Sequence, residues 1–131
     1  LDGAQNAHAA RALASALTAR GTAERSLHVV FGVLRDKDAN AMLETLRPFV
    51  RTWTMTRPGS VRARDPEQLR ALVEAPVTST EGPRQAMERA FDLAEQDGGL
   101  ILVCGSLYLV GDVRSLCARD IHGAPPMGGT P

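Results

Sequence analysis

The chain predicts an α/β domain, a three-layer sandwich in which a mostly parallel sheet is flanked by helices. Ser26–Leu34 (SLHVVFGVL) and Leu100–Cys104 (LILVC) are continuous apolar runs with β-branched residues, as expected of strands buried on both faces. Around them, strand-like runs alternate with segments of helical periodicity. Such alternation forces parallel strands joined by right-handed crossovers. The order reads β-α-β-α-β-α-β-α-β-α, its first strand ending at Leu1, with no internal repeat of about 20 to 50 residues.

Each element has its own signal. Asn6 can cap the first helix by accepting from free N–H groups of its first turn. Ala9, Ala10, Leu13, Ala16 and Leu17 recur at helical spacing, and Gly21 stops the element. The strand from Ser26 ends in the charged turn Arg35-Asp36-Lys37-Asp38. Asp38 can cap the next helix, whose Met42, Leu43, Leu46 and Phe49 or Val50 form one stripe, with Pro48 near its end. Thr52–Thr56 (TWTMT) alternates as a short strand. The loop Arg57–Ser60 and a basic turn through Arg64 follow. Asp65-Pro66 then starts a helix, with Asp at the cap and Pro at the first helical position, and Leu69, Leu72 and Val73 face inward. Pro76–Thr80 is a candidate strand. Pro83 opens a helix with Ala86, Met87, Ala90, Phe91 and Ala94 on one face, ended by Asp97-Gly98-Gly99. After Leu100–Cys104, the residues Leu109, Val110, Val113, Leu116 and Cys117 fit a final helix. Residues 121–131 lack periodicity and are expected to form a disordered tail, leaving 1–120 as the domain.

Composition narrows the function. The chain has 131 residues, 44% of them apolar and 23% charged, the profile of one soluble globular domain. Fifteen basic residues balance fifteen acidic ones, so net charge offers no argument for a nucleic-acid or anionic-membrane partner. Fourteen of the fifteen basic residues are Arg, the exception being Lys37. No run approaches the roughly 18 apolar residues of a membrane span and no signal-peptide pattern opens the chain, so a cytoplasmic location is expected. The two cysteines stand in different elements without a His at ligand spacing, so no metal site is expected and both read as small buried hydrophobes. The opening on a strand's last residues, without Met, predicts one domain of a longer polypeptide.

Parallel strands place their outgoing loops on one edge, where α/β proteins take ligands. That edge should collect Asp2, Gly3, Gln5 and Asn6; Arg35 to Asp38; Thr56 and Arg57; Thr78 to Thr80; and Gly105, Ser106 and Tyr108. A carboxylate beside a Gly turn suits a ribose hydroxyl pair, and a helix N-terminus such as the one after Ser106 suits a carboxylate or phosphate. Each residue also has a structural reading: Asp2 as a solubilising carboxylate, Ser106 as a helix cap. The chain lacks G-x-G-x-x-G, G-x-x-x-x-G-K-[ST] and G-x-S-x-G, the usual phosphate loops and nucleophile elbow. None of His8, His28 and His122 is bracketed by residues that mark a general base.

In combination, LDGAQNAHAARAL, VVFGVLRDKDANAML, DPEQL and LVCGSLYLVGDVR resemble the C-terminal domain of the folylpolyglutamate synthase/dihydrofolate synthase family. These are ATP-dependent ligases related to the Mur peptidoglycan ligases. The resemblance covers Leu1 to Cys117 and implies a Rossmann-like Mur ligase C-terminal fold. It implies addition of L-glutamate to a folate or dihydropteroate carboxylate through an acyl phosphate. The P-loop, the Mg2+ ligands and most of the folate pocket then belong to an N-terminal domain of the same polypeptide, which holds ATP and Mg2+ by the phosphates. This domain acts as a lid and is inactive alone, with no catalytic residue or metal ligand of its own. Asp2 in the DGA motif is implied to bind the ATP ribose, Gln5 and Ser106 to bind the incoming glutamate, and Lys37 and Asp38 in DKD to sit in the interdomain loop. The family motif usually reads DGAHNP; here Gln5 replaces His and Ala7 replaces Pro. Gln5 donates and accepts hydrogen bonds but cannot become cationic, so glutamate affinity and its pH dependence hang on this exchange. The alternatives are a non-catalytic ligand-binding module of the same fold and a Mur-type ligase domain with another acceptor.

Overall fold

The computed structural model describes residues 6–19 and 25–122, the last four in backbone alone. Its elements are α1 (Ala7–Ala19), β1 (Leu27–Phe31), α2 (Ala39–Leu46), a 3-10 turn (Arg47–Phe49), β2 (Thr52–Met55), α3 (Pro66–Arg70), β3 (Val77–Ser79), α4 (Pro83–Asp97), β4 (Leu100–Cys104) and α5 (Leu107–His122). The sheet runs β3-β2-β1-β4 with every neighbouring pair parallel. Phe31 stands beside Met55 on one side and Cys104 on the other, so these strands finish level.

Local chemistry sets the element ends. Asn6 Oδ1 accepts from the Ala9 N–H at 2.8 Å, and Asp38 Oδ1 from that of Ala41 at 3.1 Å. Asp65 Oδ1 accepts from the Glu67 N–H at 2.9 Å, with Pro66 at the first helical position. Each carboxylate or amide thereby satisfies a donor that the helix cannot. Gly98 ends α4 in the left-handed region, φ 67°.

Two cores flank the sheet, which makes three layers. On one face Leu27, Val29, Phe31, Trp53, Met55 and Cys104 pack with Leu13 and Leu17 of α1, Met42, Leu43 and Leu46 of α2, and Leu69 of α3. Phe31 and Trp53 meet edge to face there, with ring centroids 6.0 Å apart. On the other face Val30 and Val103 pack with Ala86 and Ala90 of α4 and Leu109 and Val113 of α5.

Several residues depart from the sequence reading. The strand from Ser26 pairs only over Leu27–Phe31; Val33 and Leu34 stay buried in the connection, where Leu34 forms an isolated antiparallel bridge with Ala63. β2 does not alternate: Trp53, Thr54 and Met55 are all buried, because the strand lies inside the sheet with helices over both faces. Leu100, Ile101 and Leu102 are only half-buried, β4 being last in the described strand order. Leu72 is exposed, since α3 ends at Arg70 and turns outward. Phe91 is exposed because α4 seats Ala86 and Ala90 against the sheet. Ala16 also faces solvent. Cys104 is buried as expected, but Cys117 is exposed on α5. α5 runs to His122, two residues into the expected tail. The expected first strand at Leu1, the stop at Gly21 and the tail residues 123–131 lie outside the described residues.

Candidate functional site

The strand order places a topological switch between β1 and β4: the chain progresses outward through β2 and β3, then returns to the far side of β1. In open parallel sheets, the loops leaving the two strands at such a switch diverge to opposite faces and leave a crevice at the carboxyl edge. Here those loops are Gly32–Asp38 after β1 and Gly105-Ser106 after β4.

The crest of this edge is held by main-chain contacts. The Gly32 N–H donates to the Cys104 carbonyl at 3.3 Å, that of Thr56 to Phe31 at 3.0 Å, and that of Thr80 to Met55 at 2.8 Å. Gly105 sits at φ 108°, and a Cβ there would lie 2.3 Å from the Gly32 carbonyl oxygen. A Cβ on Gly32 would in turn lie 2.8 Å from the Thr56 carbonyl oxygen and 3.0 Å from Pro58 Cδ. The three outgoing loops therefore meet backbone to backbone, which only side chains reduced to hydrogen permit.

Ser106 follows at once. Its Oγ accepts from the Tyr108 N–H at 3.1 Å and its carbonyl from that of Val110 at 3.1 Å, so it is the N-cap of α5. The residue is 2% exposed. Acting as the cap uses one acceptor site of the hydroxyl and leaves its proton to donate. Beyond it, the exposed Leu107 and Tyr108 join Gly111, Asp112 and Ser115 around an open depression of about 550 Å³.

The turn after β1 is clamped from the β2–α3 loop. Arg64 Nη2 donates to the carbonyls of Arg35 at 2.9 Å and Lys37 at 2.8 Å. The Arg35 N–H donates to the Arg62 carbonyl at 2.8 Å, and that of Arg64 to Val33 at 2.9 Å. Arg62 Nη2 stands 2.6 Å from Asp36 Oδ2. The clamping loop is itself tied to α5, where Asp112 Oδ2 accepts from the Gly59 N–H at 2.8 Å. Asp38 spends its carboxylate on capping α2. Lys37 is half-buried and has no carboxylate partner among the described residues.

Of the expected site residues, Lys37, Asp38 and Ser106 thus lie on the two loops that leave the sheet at the β1/β4 switch, while Asp2 and Gln5 lie outside the described residues. Thr56, also expected at this edge, is fully buried with its hydroxyl unpaired among the described residues. Arg57 is engaged by Asp65 at 3.6 Å and Glu81 at 3.8 Å, and Ser79 donates to Glu67. Arg64, Asp112 and Gly32 were not legible as site-building residues. Arg64 carried no signal beyond its basic turn, and Gly32 only its place in the Phe31-Gly32 pair that precedes the DKD run. Among the described residues no three His, Cys, Asp or Glu side chains converge as metal ligands, and no helix is long and apolar enough to cross a membrane.

The polar cluster at the opposite edge is a clasp. His28, 2% exposed, places Nε2 at 3.0 Å from both Asp97 oxygens and Nδ1 at 2.8 Å from Thr52 Oγ1. An ionised carboxylate only accepts, so Nε2 carries the proton between them. The Gly99 N–H adds a bond to Asp97 at 2.9 Å. The His28 contact, foremost, and the bonds from Ser26 and Gly99 hold the Asp97 carboxyl below its ordinary 3.8 against the opposing effect of burial. A group whose folded value is depressed stabilises the fold above its unfolded value and ceases to as pH falls through the folded one. The stability difference between the parent chain and Asp97→Asn should therefore be full at pH 6 and shrink below about pH 4. Thermal unfolding at both pH values checks this; a gap independent of pH contradicts it.

The fold defines a Rossmann-like α/β domain of the doubly wound kind, with its topological switch between β1 and β4. Residues 1–107 match the Mur ligase, glutamate ligase domain family, and the chain belongs to that family. It is 34% identical over 125 residues to a probable bifunctional folylpolyglutamate synthase/dihydropteroate synthase of Haloferax volcanii, covering 92% of this chain and 14% of that protein. Among solved structures it is similar to Mycobacterium tuberculosis folylpolyglutamate synthase complexed with ADP and AMPPCP, with TM-score 0.83 and 33% identity over 92% of this chain and 29% of that one. It is also similar to E. coli FolC in complex with ADP, with TM-score 0.84 and 29% identity over 94% of this chain and 29% of that one. The chain is thus a folylpolyglutamate synthase-type Mur ligase C-terminal domain, spanning under a third of the length of these relatives.

Proposed function

We infer that this chain is the nucleotide- and glutamate-contacting domain of a cytoplasmic ATP-dependent ligase that adds L-glutamate to a folate or dihydropteroate carboxylate. The observation that carries this is the β1/β4 switch point, with a lysine unpaired among the described residues on one loop and a capped helix N-terminus on the other. Both suit anionic groups, and glutamate and ATP supply them. The reaction transfers the γ-phosphoryl group of ATP to the acceptor carboxylate, releasing ADP. The glutamate amine then attacks the acyl carbon, phosphate leaves, and an amide forms.

Within that reaction this domain binds and closes. Asp2 accepts from the ribose hydroxyls, Gln5 and the Ser106 hydroxyl hold the incoming glutamate, and Lys37 and Asp38 lie in the loop facing the N-terminal domain. The chain has no P-loop motif. Mg2+ and most of the phosphate contacts are therefore assigned to the N-terminal domain of the same polypeptide, and this domain alone should show no ligation.

The test is glutamate- and folate-dependent ADP release by the full polypeptide. Asp2→Ala should raise KM for ATP by about 10- to 100-fold, the worth of hydrogen bonds to a charged group, and the 131-residue chain alone should give no turnover. ADP release from that chain alone would refute the division of labour. A full polypeptide that binds folate without ligating, and is indifferent to Asp2→Ala, would make this a binding module instead.

A further inference from the structure

We propose that Arg64 is a positioning residue for the crevice: its guanidinium sets the Arg35–Asp38 turn so that the Lys37 ammonium meets an anionic group of the bound substrates. The inference rests on the ligase reading for its substrates, but not for its geometry.

Arg64 Nη2 reaches both the Arg35 and the Lys37 carbonyls, at 2.9 and 2.8 Å. One Nη2 donating to two carbonyls of one turn ties both to the β2–α3 loop at once. The same turn has three further main-chain tethers. The Lys37 N–H donates to Leu34 at 3.2 Å, that of Ala39 to Lys37 at 3.0 Å, and that of Arg35 to Arg62 at 2.8 Å. Arg64 is the only side chain among the described residues that binds the Lys37 carbonyl.

The Arg64 Nε is buried and has no acceptor among the described residues, so the hold of this side chain on the turn rests on its Nη2. What the clamp fixes is the backbone under Lys37, the chain's single lysine, half-buried and unpaired among the described residues. An ammonium so placed is satisfied by a carboxylate or phosphate brought to the edge. Glutamate carries the one and ATP the other.

A double-mutant cycle on the full polypeptide tests this. Arg64→Ala should raise KM for one anionic substrate about 5- to 10-fold, with a smaller change in kcat. The same substitution should add nothing in a Lys37→Ala background, because an effect routed through Lys37 vanishes with it. A shift in KM for glutamate names its carboxylate as the group met; a shift in KM for ATP names the phosphates. Arg64→Lys, which keeps charge but not the planar fork, serves if Arg64→Ala does not fold, and should move the same KM. Fully additive effects, or both KM values unchanged, overturn the proposal.

If the polypeptide proves not to be a ligase, peptide-resolved hydrogen exchange still decides the positioning. Arg64→Ala or Arg64→Lys should speed exchange across 34–39 at least about 10-fold while Val29–Phe31 of β1 stays protected. Unchanged exchange across 34–39 overturns it irrespective of activity.

Discussion

Gly105→Ala is expected to cost the domain about 3–5 kcal/mol, from a φ penalty of about 1–3 kcal/mol and an overpacking cost of similar size. The residue holds φ 108°, where an L side chain is strained whatever the space around it. Its new Cβ would also stand 2.3 Å from the Gly32 carbonyl oxygen, and 3.1 Å from both the Gly32 carbonyl carbon and Phe31 Cε1. Main chain faces main chain at this point, so no rotamer change relieves the overlap, and β1 and β4 must part at their level ends. Against a total stability of roughly 5–15 kcal/mol for a domain, the loss is a large fraction of the whole. Gly111→Ala is the matched control: the site is exposed, inside α5, and a Cβ there meets nothing within 4 Å. It should stabilise by about 0.5–1 kcal/mol. Urea unfolding of both variants checks the pair, and a Gly105→Ala chain within about 1 kcal/mol of the parent would show that the crest is not a rigid backbone junction.

That junction also marks how far the sequence can be read. The layers, the parallel strands and the caps Asn6, Asp38 and Asp65 were legible because each rests on local chemistry: apolar runs, periodicity, or a short polar side chain before a helix. The carboxyl edge was expected as the ligand face from topology alone. What stayed hidden depends on contacts between residues distant in the chain. Arg64 reaches back to Arg35 and Lys37, Asp112 reaches Gly59, and His28 reaches Asp97, and no spacing rule announces such pairs. Phe91 and Leu72 were misplaced for a related reason. Periodicity names a stripe, but which edge of it meets the sheet is decided by how closely Ala86 and Ala90 let α4 approach, and by where α3 stops. The DGA-x-N and GSLY motifs were recognisable as a set, and Ser106 was legible both as a helix cap and as a residue of the carboxyl edge; the fold adds the cap bond itself, to the Tyr108 N–H at 3.1 Å.

The observed cap and the proposed glutamate contact of Ser106 can be separated. As a cap, Ser accepts from a first-turn N–H; replacing it with Ala costs about 1 kcal/mol, whereas Gly costs only a few tenths. As a glutamate contact, its hydroxyl proton donates to a carboxylate, a bond worth about 1.5–3 kcal/mol, or roughly 10- to 100-fold in KM. At 2% exposure that proton has little water to donate to, and among the described residues it has no other acceptor. Ser106→Gly should therefore raise KM for glutamate as much as Ser106→Ala does while melting close to the parent. KM for ATP should stay unchanged in both. The signature of a ligand contact is this parting of KM from Tm across the two variants. If KM instead follows Tm, with Gly near the parent and Ala impaired, the hydroxyl serves α5 alone, and the glutamate is held by other groups at this edge.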